Sequence, residues 1–228
     1  MAGWFEFFAA GLLFMASHLI PATPRLKGAL VAALGQRGWV IAFSALSTGL
    51  LFWVILAAGR APFVELWPQA GWMRWLVNIV MPLAVILGSF GIGAPNPFAF
   101  EGRAAGFDPE RPGIVGVARQ PLLWALVLWS GAHLIVNGDL AHLILFGVFL
   151  TFSLAGMRAM EGRKRAQWGA EAFDRLAARS SGWPFQALLT GRWRPRVGPS
   201  LIRLGIAVVV WAGLWHLHAP IIGVSPLP

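Results

Sequence analysis

The chain of 228 residues has no cysteine and no tyrosine, and only 12% of it is charged. Without cysteine there is no disulfide, no thiolate metal ligand and no cysteine nucleophile, and nothing to read about redox compartment. About a quarter of a soluble domain is usually charged, so the low charge argues against an ordinary soluble globule. Acidic residues are the scarcer sign, 9 against 18 basic, for a formal net charge of +9. A basic balance points to nucleic acid or to an anionic membrane surface. Here the charges are confined to gaps between long apolar runs, with no basic helix or aromatic platform of the nucleic-acid-binding kinds. The expected partner is therefore the lipid bilayer, with no nucleic acid.

Other absences narrow the chemistry. No Asp, Glu, Lys or Arg lies deep inside an apolar run, which weighs against ion pumps and proton antiporters. There is no Gly-x-Ser-x-Gly elbow, and the glycines of 88–93 and 113–116 lack the lysine or strand context of a phosphate-binding loop. No internal repeat supports a transporter with inverted halves. The N-terminal run from Trp4 to Ile20 has Glu6 as its only charge, no positive leader region and no small-residue cleavage site; it reads as a retained first helix.

What is present is apolar: 57% hydrophobic residues, including 13 Trp and 16 Phe. A membrane span needs roughly 20 mostly apolar residues. Candidates are 3–20, 39–58, 75–91, 121–136, 140–157 and 201–222. The expectation is an all-α fold: one polytopic transmembrane helix bundle over 1–228, of about six spans, with loops 21–38, 92–120 and 158–200 on one side. Asn137-Gly138-Asp139 is a tight turn signal joining the fourth and fifth spans as a hairpin. Pro21 and Pro24 end the first span, and Pro82 is expected to kink the third. Trp4, Trp39, Trp72, Trp75 and Trp215 sit near proposed interfaces, where indole is favoured. Residues 92–120, with four prolines, read as an ordered irregular loop. Residues 166–179 have helical patterning and read either as a cytoplasmic interfacial helix on the anionic inner leaflet or as a solvated linker helix.

Sixteen of the 18 basic residues fall in those three loops or at the edge of the sixth span, leaving only Arg60 and Arg74 on the other side. By the positive-inside rule the loops are cytoplasmic and both termini periplasmic. The expected location is the bacterial inner membrane.

All five histidines, His18, His133, His142, His216 and His218, lie in or at the ends of proposed spans. Histidine in hydrocarbon is a functional candidate by default; the plainer reading is an imidazole bonded to a neighbouring helix. From the helical rise, His18 lies about 21 Å inward from Trp4 and His133 about 18 Å from the cytoplasmic edge. Their depths then differ by about 9 Å, an offset that tilt reduces. His142, His216 and His218 fall near the outer face. Imidazole is a common ligand of metals and haem iron. Beside His133, Ser130, Gly131 and Ala132 let a flat macrocycle or another helix approach closely. Asn78, Ser44, Ser47 and Thr48 read as interhelical hydrogen-bonding groups.

A set of motifs then resembles a known family. Ser17-His18 is followed by Pro21-Ala22-Thr23-Pro24-Arg25, Pro95-Asn96-Pro97, Gly113-Ile114 and Arg119-Gln120-Pro121. Leu123-Trp124, Trp129, Ala132-His133-Leu134, Asn137-Gly138-Asp139, Pro184-Phe185 and Gly191-Arg192 complete it. In this order the chain resembles the NnrU family of bacterial membrane proteins over nearly its whole length. That family is named for a link to nitrite and nitric oxide reduction. It is similar to the zeta-carotene isomerase of plants and cyanobacteria, an integral membrane enzyme that uses haem b to convert a central cis double bond of a polyene to trans. The resemblance implies haem b as cofactor and His18 and His133 as axial ligands; a variant read from depth pairs His133 with His216 or His142, which share the outer half. Arg25 or Arg119 would pair with propionates. There are two departures: Gln120 stands where the family has histidine, and Ser130 where the isomerase has cysteine. Serine does not replace a thiolate as a soft ligand.

Three function classes follow. The first is a haem-binding membrane protein. The second is a haem-dependent isomerase of a polyene or other lipid-soluble substrate. The third is a non-enzymatic assembly or accessory factor, in which the histidines are structural and the basic 158–200 loop docks a protein partner.

Overall fold

The computed structural model describes residues 2–20, 23–99 and 102–228; Pro21 and Ala22 of the motif lie outside them. Among the described residues the chain is all-helical. The helices are α1 Ala2–Ser17, α2 Pro24–Arg60, α3 Gly71–Gly91, α4 Ile114–Val117, α5 Pro121–Val136, α6 Leu140–Trp168, α7 Ala170–Ala177, α8 Gln186–Leu189 and α9 Leu201–Ile222. Four of them, α2, α3, α6 and α9, are long and apolar enough to cross a membrane, and α1 and α5 are shorter apolar helices. With 16 residues each, α1 and α5 are about 24 Å long, short of a hydrocarbon core of about 30 Å. The chain forms two compact units, residues 1–68 with 137–145, and residues 69–136 with 146–228.

In the first unit α1 packs on α2 along small residues. A Cβ on Gly3 would lie 2.4 Å from the Arg60 carbonyl oxygen, so glycine sets how closely the helices approach. Phe7 and Ala10 of α1 are buried, as are Val54, Ala57 and Ala58 of α2. The one acid of the first apolar run is neutralised here. Glu6 accepts from Trp53 Nε1 at 3.0 Å and from Arg60 Nε at 3.1 Å.

From Pro24 onward the stretch read as a loop over 21–38 is helical. Pro24 opens α2, since proline suits a first helical position, and Ala-Leu-Val-Ala-Ala-Leu favours helix. The helix breaks at Gly35 (φ 72, ψ 162) and resumes into the apolar run. The turn at Asn137-Gly138-Asp139 is stitched to the segment after α2: Leu66 N donates to Gly138 O at 2.7 Å and Leu140 N to Val64 O at 3.0 Å.

In the second unit α3 packs against both α5 and α9. At one end Arg203 of α9 donates to the carbonyls of Phe90 (3.1 Å) and Ile92 (3.0 Å), capping α3, whose last carbonyls have no partner inside the helix. Nearer the other end Asn78 of α3 accepts from Trp215 Nε1 at 3.0 Å and donates to Pro226 O at 2.8 Å. Pro82 lies within an α3 that stays helical from end to end.

The described residues of 92–120 and 169–200 fold together into a cap. Its core is Phe98, Val115, Phe173 and Ala177. Phe98 meets Phe107, Trp168 and Phe173 edge-on, with centroids 5.9, 5.9 and 5.5 Å away. The helix read at 166–179 as interfacial thus turns its apolar side inward: Phe173 and Ala177 are buried against protein. Their heptad-like spacing marks an amphipathic helix, but spacing does not say whether lipid or protein covers the apolar face.

Candidate functional site: the intramembrane histidines

His18 sits in the turn that closes α1. Its Nδ1 is 2.8 Å from Phe14 O. A carbonyl only accepts, so Nδ1 carries the proton and the lone pair is on Nε2, which lies 3.3 Å from Ser47 Oγ. Phe14 and Phe43 flank the ring at 4.4 and 5.5 Å. His142 is in the same unit. Asp139 accepts its backbone N–H through Oδ1 at 3.1 Å and its ring Nδ1 through Oδ2 at 2.7 Å, so Asp139 caps the start of α6 and the His142 ring braces the cap.

His133, in the second unit, is oriented by its own helix: Nδ1 donates to Trp129 O at 2.8 Å. Around it stand Trp129 and Phe146, at 5.8 and 5.2 Å between centroids. The imidazole that faces it is His218 of α9, 6.5 Å away with the rings 29° apart. His218 Nδ1 donates to Val224 O at 2.7 Å. That bond exists because Gly223, at φ 85, ends α9 and turns the chain back. Both rings therefore have the same tautomer, with the lone pair on Nε2 and the other nitrogen held by a carbonyl, the usual arrangement for a metal-ligating histidine.

The resemblance pairs His18, which belongs to the first unit, with His133, which belongs to the second. Of the alternates, His142 belongs to the first unit, and His216 is exposed and edge-on to Trp215. Within the second unit the ring beside His133 is that of His218, which the sequence places near the outer face but does not single out. Depth alone does not separate His216 from His218, since both lie near one end of α9. A helix turns about 100° per residue, so they point about 160° apart, and only the phase of α9 against α5 decides. Among the described residues no group of three or more His, Asp or Glu is placed to hold a metal ion.

Arg25 is exposed in the first turn of α2. Arg119 is buried in the cap, 2.7 Å from Glu161, with its guanidinium carbon 5.4 Å from the Phe98 and Phe173 ring centroids. Its Nε donates to Ser180 Oγ at 3.2 Å. Gln120, at the position of the family histidine, is buried and donates to Phe98 O at 2.9 Å. Ser130 is buried and donates to Leu126 O at 2.6 Å.

The family profile described as NnrU protein matches residues 6–226. The chain belongs to the NnrU family. No curated protein and no solved structure matches it. Several of the NnrU motif residues quoted above build the cap. Asn96 donates to Arg119 O and accepts from Phe98 N, at 2.9 and 3.0 Å. Trp124 Nε1 donates to Gly182 O at 2.7 Å, and Phe185 N to Val117 O at 2.7 Å. These motifs mark architecture around the helices; only Ser17-His18 and Ala132-His133 place imidazoles.

Proposed function

We propose that this NnrU protein binds haem b in the bacterial inner membrane, with about six helices crossing and both chain ends periplasmic, and serves nitrite and nitric oxide reduction. The segregation of arginine and lysine supports the orientation. The short α1 and α5 are accommodated by local thinning of the bilayer.

The observation that carries the reading is the His133–His218 pair. A porphyrin supplies four nitrogens to its iron, and the protein supplies one or two axial ligands. Two imidazoles, one on α5 and one on α9, each held through Nδ1, suit that need better than a multidentate metal site. When bound, haem would supply a redox-active or ligand-binding iron. His133 and His218 would hold it, their rings oriented by Trp129 O and Val224 O, with the Trp129 and Phe146 rings beside them. Arg119 does not enter, because Glu161 already neutralises it, and the function of Arg25 is treated below.

The reading as a polyene isomerase has less support, since the Ser130 hydroxyl is spent on a backbone carbonyl. An accessory role remains compatible with a haem-bearing chain. The test is haem content by pyridine haemochrome on protein purified from haem-replete cells. About one haem per chain is expected for wild type and a large loss for His133→Ala. Colourless wild-type protein overturns the proposal.

A further inference from the structure

Residues 24–34 form a helical arm ahead of the long apolar part of α2, separated from it by the positive-φ Gly35. The arm is mostly exposed: Leu26 is 46% and Leu34 50% accessible, and Arg25, Ala29 and Ala33 are exposed as well. Leu26, Leu30 and Ala33 recur at i, i+4 and i+7 and so share one side of the helix. At about 100° per residue, Arg25 and Lys27 flank that side at roughly equal angles. Arg37 follows just past the break. Trp39, buried, then stacks on Phe43 at 5.2 Å where the apolar run begins. No Asp or Glu occurs between Glu6 and Glu65.

We propose that this arm lies along the membrane surface and binds anionic phospholipid headgroups. A narrow apolar side bordered by long cationic side chains is the pattern of an interfacial helix, whose aliphatic stems stay in the acyl boundary while the charges reach the phosphates. A chain segment that bears three cations and no acid complements an anionic leaflet. Gly35 supplies the change of direction: a left-handed residue is tolerated at little cost only by glycine, and it lets the helix leave the surface and enter the bilayer. This inference rests on the membrane assignment, not on haem.

The absence of cysteine allows clean labelling. Leu26→Cys, Gly28→Cys and Leu46→Cys, each carrying an environment-sensitive fluorophore, are reconstituted as full-length protein in phosphatidylcholine vesicles with and without phosphatidylglycerol. Quenchers are placed in water, near the headgroups and deep in the bilayer. With phosphatidylglycerol, the Leu26 label is expected to be quenched best near the headgroups, about 5–10 Å below the surface. The Gly28 label stays open to water, and the Leu46 label responds to the deep quencher. Replacing Arg25, Lys27 and Arg37 by Gln is expected to lower the lipid-embedded population of the Leu26 label roughly fivefold per cation. A Leu26 label open to water in both lipids, or quenched as deeply as Leu46, overturns the proposal. A Leu46 label that no lipid quencher reaches removes the membrane assignment and the inference with it.

Discussion

Gly116 stands under the indole of Trp193. A Cβ there would lie 2.6 Å from the ring, closer than real contacts allow, and Val115 beside it is fully buried. Gly116→Ala should destabilise the cap by about 1–3 kcal/mol, the usual cost of overpacking, as measured by pulse proteolysis in detergent. Gly131→Ala, where a Cβ meets nothing within 4 Å, is the neutral control. Arg119 and Glu161 give a second residue-level test. Their side chains are 10% and 29% exposed, so removing one partner leaves a poorly hydrated charge. Arg119→Gln should cost roughly 3 kcal/mol. The double variant Arg119→Met with Glu161→Leu should cost less than the single one, because no charge is then stranded. If the costs simply add, the pair is not coupled and the cap is held by its aromatic core alone.

Between helices, α3 and α9 are tied by polar groups at two levels. Asn78 bonds Trp215 and the returning tail, and Arg203 caps the carbonyls at the far end of α3. Interhelical hydrogen bonds in membranes are worth about 0.6–2 kcal/mol each. Asn78→Leu should therefore lower stability by about 1–3 kcal/mol. It should also loosen the tail that carries Val224, the acceptor for His218. A protease-sensitive C-terminus in Asn78→Leu, with α9 still inserted, is the expected result. An unchanged tail would mean that Gly223 alone sets its course. The ends of α5 and α9 followed from the limits of the apolar runs and the turn at Asn137, and in the structure Ser200 and Gly223 bound α9 locally. The arm at 24–34 could not, since its charges mark a loop as readily as a surface helix.

Across the whole chain, apolar runs made the helical class legible, and the bounds read for α5 and α9 coincide with the helices observed. The cap was not legible. Its parts, Asn96, Arg119, Phe173 and Phe185, are far apart in sequence, and each looks like an ordinary loop residue until the others are in place. The histidine pair was half legible: His133 stood out by its small neighbours, while His218 needed the phase of one helix against another. The absorbance spectra of purified wild type, His133→Ala, His218→Ala and His216→Ala test the account most directly. A Soret band is expected that is lost in His133→Ala, altered in His218→Ala and unchanged in His216→Ala. A wild-type band untouched by either His133→Ala or His218→Ala, or no band at all, would contradict the account.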